Sequence, residues 1–184
     1  MMDKMNYTDK EKNFIRGYFQ IRVLDSFGNV IQDFEKENIV VNVARTTMAK
    51  HLSGQSTTPI NKIIFGTKQN PSQPTADRTQ IYSQESAPQD FMYNISFTPP
   101  LTNGPATNIT EDDQGSDSTV EVTRTNNSVT YSIIMKEPAG NNGGSVAYTE
   151  CGMFVGNDLF AMRVFPVRNK DANSVIEVNW TFIF

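Results

Sequence analysis

Apolar and polar positions alternate almost without interruption over the last eleven residues, Ser174–Phe184 (SVIEVNWTFIF). Ile176, Val178, Trp180, Phe182 and Phe184 fall on one face, and Val175, Glu177, Asn179, Thr181 and Ile183 on the other, the period of a half-buried strand. Burying such side chains contributes roughly 1.5–3 kcal/mol each before entropy is subtracted. The stretch is therefore expected at a central sheet position, with the terminal Phe184 covered. The same period recurs earlier. In Phe14–Leu24, Phe19, Ile21 and Val23 alternate with Gln20 and Arg22, and the turn residues Asp25–Asn29 then lead into Val30–Phe34, which predicts a β-hairpin. Asp90–Phe97 places Phe91, Tyr93, Ile95 and Phe97 on one side. Thr119–Thr123 and Val129–Met135 predict a second hairpin across Asn126-Asn127. Val146–Val155, a tight turn at Gly156-Asn157-Asp158, and Leu159–Val167 are expected to neighbour the final strand in one C-terminal block. The core assigned from this pattern is Phe19, Ile21, Val23, Phe154, Phe160, Phe165, Ile176, Val178, Trp180 and Phe182.

One stretch breaks the period. In NVARTTMAKHLSG, Ala44, Met48 and Leu52 recur at i+4, Asn42 can cap the start and Gly54 can stop the end, predicting the one substantial helix, about three turns long. Lys50 and His51 occupy its last turn, where positive charge suits the dipole. Pro59–Gly66 resumes strand character, and the proline-bearing TKQNPSQPTADRTQ after it reads as an exposed loop. Thr98–Ser118, rich in Pro, Gly, Asn and Asp, reads as a long irregular insertion, Pro138–Gly144 as a turn or loop, and Arg168–Asn173 as a connector. Many strands, one helix and large polar loops predict a mainly β protein, an antiparallel β-sandwich of immunoglobulin-like or jelly-roll-like kind with one short α-helix and long polar loops. Residues 1–13 form a polar leader and 14–184 a single sandwich domain with the loop-rich insertion at about 98–118. The leader is too polar to contribute to the core, so its removal is expected to leave the domain folded.

Composition narrows the functional classes. At 184 residues the chain suits one domain with a real core, built from few but large side chains, since twelve phenylalanines make up most of its aromatic residues. A net charge of -4 provides no basic field for wrapping nucleic acid. No apolar run reaches membrane-spanning length, and the opening MMDKMNYTDKEKNFIRGY lacks the apolar stretch of a secretory signal, so no membrane partner and no export by that route are expected. The single cysteine, Cys151, excludes an intrachain disulfide.

Candidate chemistry is sparse. The one histidine, His51, and the one thiol, Cys151, would have to meet within hydrogen-bond reach to form a nucleophilic dyad, and a strand-borne cysteine is more simply a small buried hydrophobe. Glu111, Asp112, Asp113 and Asp117 offer oxygen ligands to a hard cation such as Ca²⁺, without the EF-hand spacing. One His and one Cys make no zinc set. Paired carboxylates for sugar hydrolysis leave no spacing signature, and GNNGG has neither a Walker lysine nor GxGxxG spacing. Asn-Xaa-Ser/Thr triplets at Asn6, Asn94, Asn108, Asn126 and Asn179 follow no signal peptide and are read as compositional. Tyr82 and Tyr93, if exposed, can stack on sugars, although packing within the sandwich is the default. No catalytic residue, metal site or cofactor is assigned.

Two stretches carry a family resemblance. NIVVNVARTTMAKHLSG followed by INKIIFGTKQNPSQPTADRTQI resembles the opening of small structural proteins of tailed bacteriophages, with a strand, a short helix, a strand ending in FGT-like residues and a polar loop in that order. YTECGMFVGNDLFAMRVFPVRNKDANSVIEVNWTFIF is similar to their close, through Glu150-x-Gly152-Met153-Phe154, Leu159-Phe160-Ala161-x-Arg163, Phe165, Lys170-Asp171 and a final Trp-containing strand. The resemblance covers both ends but not the middle, and its motifs are packing and turn residues. It implies a non-enzymatic virion subunit of head-decoration, neck, baseplate or fibre-attachment type, made in the host cytoplasm. Such a subunit would contact other virion structural proteins and form a homo-oligomer or symmetric array that holds weak contacts by avidity. A carbohydrate-binding module engaging host surface glycans is the alternative, and a small hydrolase using loop carboxylates ranks below both.

Overall fold

Among the described residues twelve strands and one helix follow the chain: β1 (Arg16–Leu24), β2 (Val30–Glu37), β3 (Ile39–Val40), α1 (Asn42–Leu52), β4 (Ile60–Gly66), β5 (Tyr93–Thr98), β6 (Gly104–Pro105), β7 (Thr107–Glu111), β8 (Ser118–Thr125), β9 (Ser128–Met135), β10 (Val146–Val155), β11 (Asp158–Lys170) and β12 (Val175–Ile183). They come from a computed structural model that describes residues 15–67, 78, 80, 81, 91–112 and 117–184. The polar leader, Tyr82 and Asp113 lie outside the described residues.

The strands form two six-stranded sheets, β2-β1-β12-β9-β8-β6 and β3-β11-β10-β4-β5-β7, in which every pairing is antiparallel. This is a mainly β protein, an antiparallel β-sandwich with one short helix. Each sheet presents one face to the core. Along β12 the alternation is complete, with Ile176, Val178, Trp180 and Phe182 buried and the intervening residues half-buried. The ten residues assigned to the core from sequence are all buried, none more than 6% exposed. Aromatic rings join the layers: Phe19 stacks on Phe165 with centroids 5.7 Å apart and meets Trp180 edge-on at 4.9 Å, and Phe160 meets Phe182 edge-on at 5.4 Å. Such pairs contribute about 0.5–1.5 kcal/mol beyond their area burial.

The turns follow the residues that permit them. Asp25 accepts the amides of Phe27 and Asn29 on Oδ1 and the Asn29 side chain on Oδ2, closing the β1–β2 hairpin, while Gly28 takes φ +83°. The β8–β9 hairpin turns on Asn126-Asn127, with Asn126 at φ +50°, and the β10–β11 hairpin on Gly156-Asn157, with Gly156 at φ +59°. Left-handed backbone at the first turn residue favours Asn or Gly, which is what both turns supply.

Four expectations change. The β10–β11 hairpin does not pair with the last strand: β12 lies between β1 and β9, and β10–β11 belong to the opposite sheet and meet it across the core. Phe184, expected under cover, is 55% exposed, because β12 ends at Ile183 and the final residue runs past the sheet. Thr98–Ser118 is not irregular throughout, since it carries β6, paired with β8, and β7, paired with β5, and these finish one edge of each sheet. Arg168–Lys170 extend β11 rather than connecting it, which leaves a short turn at 171–174.

The helix also differs in detail. Asn42 is its first residue and the N-cap is Val41, which has extended backbone and no capping side chain. Val41 is fully buried and its N–H donates to Phe160 O on β11, so the chain stays strand-like until that bond is made. The buried face runs through Ala44 and Thr47, whose hydroxyl returns to Val43 O at 3.2 Å, while Leu52 is 91% exposed. Gly54 ends the helix at φ +73°.

Candidate functional site

Cys151 sits on the core face of β10, opposite Phe65 of β4, with no exposure to solvent. Burial, aided by neighbouring Glu150, pushes its thiol well above the usual range, so it stays protonated at neutral pH. His51 is exposed on the outer helix. The two do not form a nucleophilic dyad.

Two carboxylates of the acidic loop, Glu111 and Asp112, are engaged by their own neighbours. Glu111 accepts the Ser118 amide at 2.9 Å and the Ser118 hydroxyl at 3.1 Å, and that hydroxyl also meets the Tyr93 phenol at 3.1 Å. Asp112 accepts the side-chain amide of Asn94. Glu111 and Ser118 thereby close the base of the loop onto buried Tyr93. Among the described residues no group of three His, Cys, Asp or Glu side chains is placed to hold a metal ion. Tyr93, considered above as an exposed sugar platform, is completely buried and stacks near Phe91 at 6.2 Å. Its alternation with Ile95 and Phe97 put it on the core face, and the tertiary structure keeps it there.

What the structure does assemble is an apolar groove of about 430 Å³ at one end of the sandwich. Met48, His51 and Leu52 of α1 form one side, and Ile60, Val155 and Phe160 form the floor. These last three are the first residue of β4, the last of β10 and the third of β11, so the floor is a row of strand ends. Phe184 forms the opposite lip. Its backbone is held: the Phe184 amide donates to Asn127 O and the Asn127 side chain donates to Phe184 O, both at 2.9 Å. The terminal residue is therefore anchored at the rim through its backbone. Leu52 and Phe184, its exposed apolar members, are the two residues whose strand or helix period had called for burial.

The same end carries a second apolar feature. Lys62 of β4 stands opposite Ser96 of β5, so Thr98 leaves its sheet level with Ile60 at the groove floor. The loop that follows holds Leu101 fully exposed.

Two polar assemblies on the sandwich were not foreseen. Arg78 makes a two-pronged pair with Glu150 of β10, both bonds 3.0 Å, and also donates to Gln80 O at 3.2 Å. A Cβ at Gly152 would strike Ile81 and Leu159, and Arg78 pairs with Glu150, so Arg78 and Ile81 lie against the outer face of β10, which explains why that strand is buried on both faces. Glu150 and Gly152 of the resembling motif thus have packing roles. On the far edge, Arg163 and Arg168 both lie 5.8 Å from the centre of the Phe34 ring and donate to Glu37 O and Asp33 O of β2. Neither pair shares a local spacing that a sequence pattern would reveal.

Comparison with protein-family models, curated protein sequences and solved structures finds no match for this chain.

Proposed function

We propose that this chain is a non-enzymatic structural subunit of a tailed-phage virion, carried on the exterior of the head or in the neck or tail and acting through repeated protein–protein contacts. The observation that supports this most directly is the apolar end of the sandwich, where Leu52 and Phe184 stand exposed at the rim of a groove with an apolar floor and Leu101 stands exposed on the loop after β5. Exposed apolar side chains clustered at one end of a folded domain are the property of a contact surface. The assignment to a virion rests on the resemblance at the two ends of the chain. Repetition of a modest contact in a symmetric particle holds each copy by avidity.

Mass spectrometry of purified particles of the phage encoding this chain tests the reading: the chain is expected in the particle at many copies, and its absence would overturn the proposal. Particles made with a chain lacking residues 1–13 are expected to incorporate it less well. The alternative, a module binding host glycans, loses its described aromatic platform with the burial of Tyr93. A glycan array with the isolated protein separates the two, since the structural reading expects no sugar to bind at millimolar concentration.

A further inference from the structure

We propose that the N-terminal segment of this chain occupies the chain's own apolar groove, with Met5 and Tyr7 as the side chains that fill it. The inference goes beyond the structural-subunit reading, because it gives the contact surface a cover that the chain itself supplies.

The first ground is where the segment is attached. Arg16 pairs with Ile183 across β1 and β12, so Ile15 stands level with Phe184, the lip of the groove. Ile15 is itself a groove residue and is 9% exposed. The fourteen residues before it are therefore tethered at the groove wall. A space of about 430 Å³ is on the order of 10 Å across, whereas the seven residues Thr8–Phe14 extend up to about 25 Å, so they can return Met5 and Tyr7 to any part of it.

The second ground is the chemistry of the two sides. The groove floor of Ile60, Val155 and Phe160 is apolar, and the Thr47 hydroxyl beside it is already bonded to Val43 O, so the groove suits apolar side chains. Three of the chain's eight methionines lie in its first five residues and Tyr7 follows them, while Thr8–Asn13 has no apolar side chain. Methionine is unbranched and fits an irregular surface, and tyrosine can bury its ring while its hydroxyl stays in water. Met5 and Tyr7, two apart, fall on the same side of an extended chain. A short tether holds the segment at an effective concentration on the order of millimolar, so a contact too weak to form between separate molecules is made within one. The cover shields Leu52 and Phe184 in the free subunit, and a chain without it presents a bare apolar end.

Nuclear magnetic resonance of the full chain carrying methyl-labelled methionine reads the contact. Met48 lines the groove, and Met135 is buried at the far end of β9 from it. Deleting residues 1–7 is expected to move the Met48 methyl signal and leave that of Met135 in place. Met5→Asp with Tyr7→Asp in the full-length chain is expected to do the same, and it carries the test if the shortened chain folds poorly. Diamide oxidation of a chain carrying both Tyr7→Cys and Leu52→Cys is expected to join the two thiols within the molecule, at a yield independent of protein concentration. Tyr7→Cys combined with Phe27→Cys, at the opposite end of β1, is expected to give no such bond, and Cys151 is buried and does not compete. A Met48 signal that ignores both changes overturns the proposal, as does a Tyr7→Cys, Leu52→Cys disulfide that fails to form or forms only between chains, the last of which assigns the segment to a second copy. Because presence in the virion is measured separately, each of these results leaves the structural-subunit reading standing.

Discussion

The ring of Phe160 stands edge-on to that of Phe182, with centroids 5.4 Å apart and planes at 80°, and the contact joins β11 of one sheet to β12 of the other. Phe182 in turn stacks near Trp180 at 6.2 Å, and Trp180 meets Phe19 at 4.9 Å. A continuous row of rings therefore crosses the sandwich from the groove floor, which Phe160 helps to form, into the centre of the core. The apolar groove is the end of the hydrophobic core where it reaches the surface.

Trp180 is the largest fully buried side chain in that row. Trp180→Ala is expected to destabilise the fold by about 3–5 kcal/mol, as large aromatic truncations in cores do. Its Nε1 has no hydrogen-bond partner among the described residues, so Trp180→Phe gives up no bond seen there and is expected to cost less. Urea unfolding of both variants measures this, and a loss under about 1 kcal/mol for Trp180→Ala would contradict the burial.

The Arg78–Glu150 pair carries a second expectation. Their side chains are 14% and 3% exposed, so removing one partner strands the other in a poorly solvated place. Glu150→Ala is expected to cost about 3–5 kcal/mol, whereas the double change Arg78→Met with Glu150→Leu is expected to cost clearly less, because breaking a buried pair is worse than replacing it. Thermal unfolding of the single and double variants, combined as a double-mutant cycle, gives the coupling.

The outer edge of β2 is closed by side chains instead of a strand. The Asn38 amide donates to Gly17 O, so even-numbered residues of β2 point their backbone groups at β1 and odd-numbered ones point away. Asp33 O and Glu37 O therefore face outward, and Arg168 and Arg163 reach from the other sheet to fill them at 3.1 and 2.9 Å. An uncapped edge is a template for pairing with another chain. Arg168→Ala is expected to lower stability by about 1–2 kcal/mol, and the double change with Arg163→Ala to raise the aggregation rate seen by light scattering at unchanged far-ultraviolet circular dichroism.

Tyr131 supplies a pH dependence. Burial pushes its phenol up from 10.0 to about 12, with Arg124 opposing weakly. Below pH 10 the phenol is neutral in both folded and unfolded chains and contributes no slope. Between pH 10 and about 12 the unfolded chain ionises first, so it binds fewer protons than the folded one and stability falls as pH rises. The loss by pH 12 is on the order of 2–3 kcal/mol. Tyr131→Phe is expected to flatten this part of the stability profile while changing little at pH 7, and comparing the two proteins cancels the contribution of the other tyrosines.

The strands were legible because alternation is a local property. Every second residue of Ser174–Phe184 or of Asp90–Phe97 faces the same way whatever it pairs with, and Asn126-Asn127 and Gly156-Asn157 declare turns by their own backbone freedom. Partner choice is not local. Nothing in β12 states that Trp180 pairs with Phe19 on one side and Tyr131 on the other, or that the strongly patterned β10–β11 hairpin belongs to the opposite sheet. The same limit hid the sites. Arg78 and Glu150 are 72 residues apart, and the groove draws Leu52, Val155 and Phe184 from three separate elements. The sequence by itself determined which side chains want to leave water. Only the tertiary structure decided which of them succeed, because the strands end where they do and leave Leu52 and Phe184 at the rim with no further layer among the described residues over them.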